Sequence, residues 1–170
     1  MFIRQVNPTD ELYPKMLSRF PSTARYLADP SDKGDYRFFA ALEDDQVVIG
    51  GAVIDIGELQ FGPLSQMIVG FLENIEVDEP FRRHGIGTAL LRAALDHAWA
   101  SGAQNVRWTV DWSNDAGIAF YVHCGIGVIP EGDSPEQAET YYTLMAVNPR
   151  HVANGYGRGM SEDRPTASKC

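Results

Sequence analysis

Cysteine is scarce. Cys124 and Cys170 are the two in the chain, too few for a disulfide framework or a cysteine-built metal site. Cys170 stands last, without the residues of a lipidation box. The histidines, His84, His97, His123 and His151, have no metal-ligand spacing, so no metal is expected. Apolar runs are short. None reaches the ~18 residues of a membrane span, and Met1 to Val6 lacks the apolar core of a signal peptide. No membrane partner is expected, and a soluble, reducing, cytoplasmic setting is the simplest reading. Positive charge is also in deficit: 14 Lys and Arg face 23 Asp and Glu, a net charge of −9. That excludes a general nucleic-acid binder, which carries a basic face. Internal repeats are absent. What remains is 170 residues of ordinary hydrophobic content, enough for one domain with a sizeable core. The acidic balance either attracts a cationic substrate or only keeps the protein soluble.

Against that acidic background one basic cluster stands out, Arg82-Arg83-His84, followed by Gly85-Ile86-Gly87-Thr88. Before it, Ile75 and Val77 alternate with Asn74 and Glu76, a strand pattern that Pro80 ends. After it, Ile86, Leu90, Ala94 and Ala98 recur at four-residue steps, the stripe of a helix reaching Ala100. Ser101-Gly102 closes that helix. The first N–H groups of a helix lack internal partners, so a glycine-bearing, basic turn leading into one is an anion site. Gly85 and Gly87 are expected to let backbone approach a bulky ligand.

The rest of the chain supplies the frame. Phe2–Val6 reads as a strand. Asp10 is among the cap candidates for a helix over Glu11–Phe20, with Pro14 in its first turn. A short helix at Thr23–Ala28 and a loop at 29–35 follow. Tyr36–Leu42 and Val47–Ile56 make an antiparallel hairpin, 57–65 a loop, and Gln66–Val77 a long strand. Val106–Trp112 is a strand; Ser113 or Asn114 caps a helix to Cys124. Ile126–Ile129 and Thr140–Val147 are strands around an acidic loop at 131–139. Strand–helix–strand over 73–112 implies a parallel crossover, while the hairpin implies antiparallel pairing. The expected fold is α/β (α+β): a mixed, mostly antiparallel sheet of six to seven strands with helices on both faces. Residues 1–148 form the domain, and 149–170 read as a flexible tail.

Two motifs carry a family likeness. Arg82-x-x-Gly85-x-Gly87 matches the Arg/Gln-x-x-Gly-x-Gly/Ala signature of the GNAT superfamily of acyl-CoA-dependent N-acyltransferases, and Val77–Leu91 resembles its motif A throughout. Asn114-x-x-Gly117-x-x-Phe120-Tyr121-x-x-x-Gly125 resembles motif B. The likeness is firm over 73–126. Departures are Ile126 where the family usually has Phe, and Arg83 and His84 where it often has Gly or Lys. The resemblance implies acetyl-CoA, or another acyl-CoA, in an opening between the strand ending near Val77 and the strand Val106–Trp112. Backbone of Ile75, Glu76 and Val77 would pair with the pantetheine arm. Arg82 and the amides of Arg83, His84, Gly85, Ile86, Gly87 and Thr88 would hold the pyrophosphate, and Asn114 would contact the cofactor besides capping its helix.

The chemistry implied is direct acetyl transfer to a primary amine in a ternary complex. Tyr121 matches the family tyrosine near the sulfur, a general acid in many members. Glu73 stands where polyamine-type members place a base. By two-residue alternation it shares a face with Ile75 and Val77. Glu76 and Asp111 are second and third choices, and a water chain is an alternative. A small cationic amine is the expected acceptor, with a protein lysine or N-terminus as the alternative; a homodimer is compatible. Two other readings stay open: an acyl-CoA-binding regulatory module without catalysis, and a nucleotide-binding module. The latter lacks a full phosphate-loop or dinucleotide pattern.

Overall fold

The computed structural model describes residues 1–21, 34–44, 46–60, 66–129 and 141–151. The expected helix at 23–28, the loop at 131–139 and the tail beyond His151 lie outside them. Strands β1 (Phe2–Val6), β2 (Tyr36–Leu42), β3 (Val48–Gln60), β4 (Gln66–Val77), β5 (Asn105–Asp111), β6 (Gly127–Ile129) and β7 (Tyr141–Val147) form one sheet. Their order is β1-β2-β3-β4-β5-β7-β6. The β4/β5 pair is parallel and the others antiparallel, so the sheet is mixed as expected. β3 runs on past Ile56, because Gly57–Gln60 pair with Val69–Gln66 where the sequence suggests a loop.

Helices α1 (Leu12–Arg19), α2 (Ile86–Ala100) and α3 (Asp115–His123) cover both faces. At the start of α1 the Asp10 carboxylate accepts the Leu12 N–H at 3.0 Å, satisfying a first-turn donor. Pro14 sits in the first turn, where its missing N–H does no harm. Leu12, Met16 and Phe20 bury against Val6, Phe38, Ala40, Leu42 and Val53 on one face. On the other, the Ile86, Leu90, Ala94 and Ala98 stripe of α2 meets Phe39, Ile49, Ala52, Ile54, Leu72 and Val106. Each fully buried Leu or Ile contributes about 1.5–3 kcal/mol, so this stripe anchors the turn that precedes it. Ile118, Phe120 and Tyr121 of α3 pack on the same side as α2.

The domain extends slightly past the strand that closes it. Asn148 is buried; its Nδ2 donates to the Ala103 carbonyl at 2.9 Å and its Oδ1 accepts the Arg150 N–H at 3.0 Å. Pro149–His151 therefore continue as one helical turn. No helix among the described residues is long and apolar enough to cross a membrane.

Candidate active site

β4 and β5 start side by side and then part. Their ladder runs from Val69↔Asn105 to Phe71↔Arg107 and stops there. The β3/β4 register gives the cause. Ile54 opposes Leu72 and Val53 opposes Asn74, which leaves Glu73 as an extra residue in a β-bulge. A bulge bends its strand and increases local twist. Beyond it, β4 stays with β3 as far as Val77↔Gly50 and leaves β5 behind. The opening lies between Glu73–Val77 and Trp108–Asp111, where the resemblance calls for one.

The bulge also bears on the period of β4. Leu72, Ile75 and Val77 all pack into the α2-side cluster, although Leu72 and Ile75 are three positions apart. Simple alternation therefore fails between them, and counting along β4 alone does not set the face of Glu73. The bulge sets Glu73 at the vertex of the opening, half-buried. Glu76 opposes Gly51, whose Cβ side meets Met16 and Phe20, so Glu76 faces α1.

After Val77 comes a single 3-10 turn, Glu79–Phe81, with Pro80 inside it. Two contacts pin its base. Arg19 of α1 donates to the Asp78 carboxylate, with Nε at 2.8 Å. Arg82 Nε donates to the Val77 carbonyl at 2.9 Å, so this arginine braces the turn as well as offering charge. Arg82, Arg83 and His84 are exposed. Arg83 (φ 66°) and Gly85 (φ 79°) are both left-handed. Among the described residues no side chain caps α2. Its first bond runs from Ala89 N–H to the Gly85 carbonyl, 3.0 Å, which leaves the Ile86, Gly87 and Thr88 amides without intrahelical acceptors.

The two motif glycines serve different ends. A Cβ on Gly85 would meet nothing within 4 Å; its φ is what demands glycine. A Cβ on Gly87 would come within 3.4 Å of the Phe120 ring, an ordinary contact, so Gly87 packs closely under α3. Ile86 is 3% exposed, with its side chain in the core, and only its amide faces the turn's task. Thr88 Oγ1 lies 3.8 Å from Cys124 Sγ, joining the start of α2 to the end of α3.

Asn114 caps α3: its Oδ1 accepts the Gly117 N–H at 2.9 Å. A Cβ on Gly117 would sit 2.6 Å from the Asn114 side chain, which explains the small residue three positions on. With Oδ1 occupied, the Asn114 amide nitrogen is the group left for a ligand. Tyr121 stacks at a tilt on Trp108, centroids 5.1 Å apart, and on Phe120 at 4.9 Å. Trp108 is the first β5 residue past the last β4 pair, so Tyr121 stands over the vertex. Asp111 is a poor base: the Ser113 hydroxyl and N–H hold its carboxyl below the usual range.

Burial, then charge on Cys124, pushes the Tyr121 phenol up to about 12. Below the unfolded value near 10, folded and unfolded chains both keep this proton. Between about pH 10 and 12 the unfolded chain loses it first, and stability falls by about 1.4 kcal/mol per pH unit. Urea midpoints across that range should fall more steeply for the native protein than for Tyr121→Phe. Equal slopes would contradict the buried phenol.

An acyl-CoA fits these groups: uncapped amides and exposed arginines suit its pyrophosphate, and the parted strands suit its extended arm. A model described as the acetyltransferase (GNAT) family matches residues 7–126. N-alpha-acetyltransferase 30 of Schizosaccharomyces pombe is 29% identical over 108 residues, 58% of this chain and 69% of that protein. Naa20 of Chaetomium thermophilum, solved with a bisubstrate analogue, superposes with a TM-score of 0.61 at 18% identity, over 91% of this chain and 90% of that one. Arabidopsis thaliana NAA60, solved with acetyl-CoA, gives a TM-score of 0.60 at 16% identity, over 85% and 97%. At these identities the two structures speak to the fold.

Proposed function

The chain belongs to the GNAT family of acetyltransferases, and from there we propose that it moves the acetyl group of acetyl-CoA onto a primary amine, directly and without a covalent enzyme intermediate. The parting of β4 from β5 beside the uncapped start of α2 carries this reading. Bound acetyl-CoA supplies the activated acyl group. The amides of Arg83–Thr88, with Arg82 and Arg83, hold its pyrophosphate. The Ile75–Val77 backbone aligns its arm, and the Asn114 amide steadies it. Tyr121 donates from its hydroxyl to the sulfur. Glu73, half-buried at the vertex, takes the proton of the incoming amine.

The acceptor we favour is the α-amino group of a peptide or protein, the group in the name of the curated relative. Simple acid–base chemistry is consistent with it. An α-amine titrates near 8, so about a tenth of it is already neutral at pH 7; an alkylamine near 10.4 is neutral only about once in 2,500. One carboxylate at the vertex suffices for the first and is hard pressed by the second. The net charge of −9 favours a second reading, a small cationic amine.

The deciding experiment offers acetyl-CoA with a panel of N-terminal peptides, lysine peptides and polyamines, and reads product mass and released thiol. Acetylated peptide α-amines are expected. No thiol release with any amine would leave a non-catalytic acyl-CoA binder. Glu73→Gln should lower kcat/KM about 10- to 100-fold at pH 7, with the deficit shrinking as pH rises past the amine's own pKa. A rate unchanged at pH 7 would move the base to a water chain.

A further inference from the structure

Trp108 holds a group that the mechanism above does not use. Its side chain is 6% exposed. Its indole Nε1 is shielded from solvent and meets no acceptor among the described residues. An indole N–H is a donor only, so it needs an acceptor from elsewhere. Leaving such a donor unmatched destabilises a protein, and a native chain that carries one has a reason for it. The neighbours on its face are apolar or aromatic: Val106, Val110, Leu144 and the tilted Tyr121 ring. An N–H contact with that ring is second-order beside a true acceptor. The position is what makes the orphan informative. Trp108 is the first β5 residue after the ladder with β4 ends, directly beneath the proposed sulfur-facing tyrosine.

We propose that Trp108 is a ligand-binding residue whose Nε1–H donates to a carbonyl oxygen of the acyl-CoA arm at the vertex of the opening. This rests on the acyl-CoA reading above. The arm brings what the site lacks, amide carbonyls and a thioester carbonyl, into a place closed to water. A small turn of the Tyr121 ring admits the carbonyl. Trp108 is then an affinity determinant of the β5 wall, complementary to the backbone of β4 on the opposite wall.

Trp108→Phe keeps an aromatic ring and deletes the donor. Without ligand, the lost ring volume and the removal of the unmatched donor act in opposite directions on the melting temperature, so the affinity carries the test. The variant's affinity for the ligand, measured by titration calorimetry, should fall about fivefold, the value of one hydrogen bond. A purely structural tryptophan leaves the affinity unchanged. Parallel titrations with CoA and acetyl-CoA locate the acceptor. A loss shared by both assigns an amide carbonyl of the arm, and a loss confined to acetyl-CoA assigns the thioester. Equal affinities of native and variant for both ligands overturn the proposal. If the native protein binds neither, the acyl-CoA reading itself has failed. The native protein offers a second readout: of its three indole N–H resonances, that of Trp108 should move on adding acetyl-CoA. A stationary signal in a saturated sample would also overturn it.

Discussion

Tyr121→Phe should lower kcat about 10- to 100-fold while acetyl-CoA KM stays within about twofold. The magnitude follows from what the phenol can do. With its pKa pushed up to about 12, Tyr121 is fully protonated at any working pH. The burial that makes this side chain a reluctant acid makes it a strong hydrogen-bond donor, since charge developing on sulfur meets it in low dielectric. On the proposed reading, Tyr121 acts as a protonated hydrogen-bond donor to the sulfur. The phenylalanine keeps the stacking on Trp108 and Phe120, so folding is a fair control. Unchanged turnover would reduce Tyr121 to a core aromatic.

The second large effect belongs to Gly85. Gly85→Val should weaken acetyl-CoA binding at least about tenfold, with turnover at saturation much less affected. Space is not the issue, since a Cβ there touches nothing within 4 Å. The φ of 79° is. A β-branched residue is a genuine outlier in that region, at roughly 1–2 kcal/mol or more. The turn relieves it by rotating, and rotation takes the amides at the start of α2 out of line. Gly85→Asn is the control, because asparagine tolerates the left-handed conformation and should retain most of the affinity. Equal binding by valine and glycine would remove this turn from the phosphate site.

The sequence made the local features readable and left the non-local ones hidden. The α2 stripe, the Asn114 cap and the β2/β3 hairpin follow from residue spacing alone, and the structure has all three. So does the glycine-bearing turn between β4 and α2. The bulge at Glu73 depends on β3, whose pairing no count along β4 can reveal. The contact of Gly87 with Phe120 depends on a residue of another helix. The bracing of the turn by Arg82 depends on a carbonyl brought near by the fold. In sequence Trp108 is one more strand aromatic; burial without an acceptor among the described residues sets it apart.

One more thing follows from the bulge. Along β4 the site is written as a number rather than as a list of side chains. Many substitutions between Leu72 and Asn74 leave the strand count, and so the opening, intact. Loss of a single residue there would bring the two halves of β4 into phase, straighten the strand and let it close on β5. A more regular sheet would be the result, with no gap for a ligand. On the proposed reading the opening is kept by a mismatch of one residue between β3 and β4, and that length difference counts beside the groups that line it.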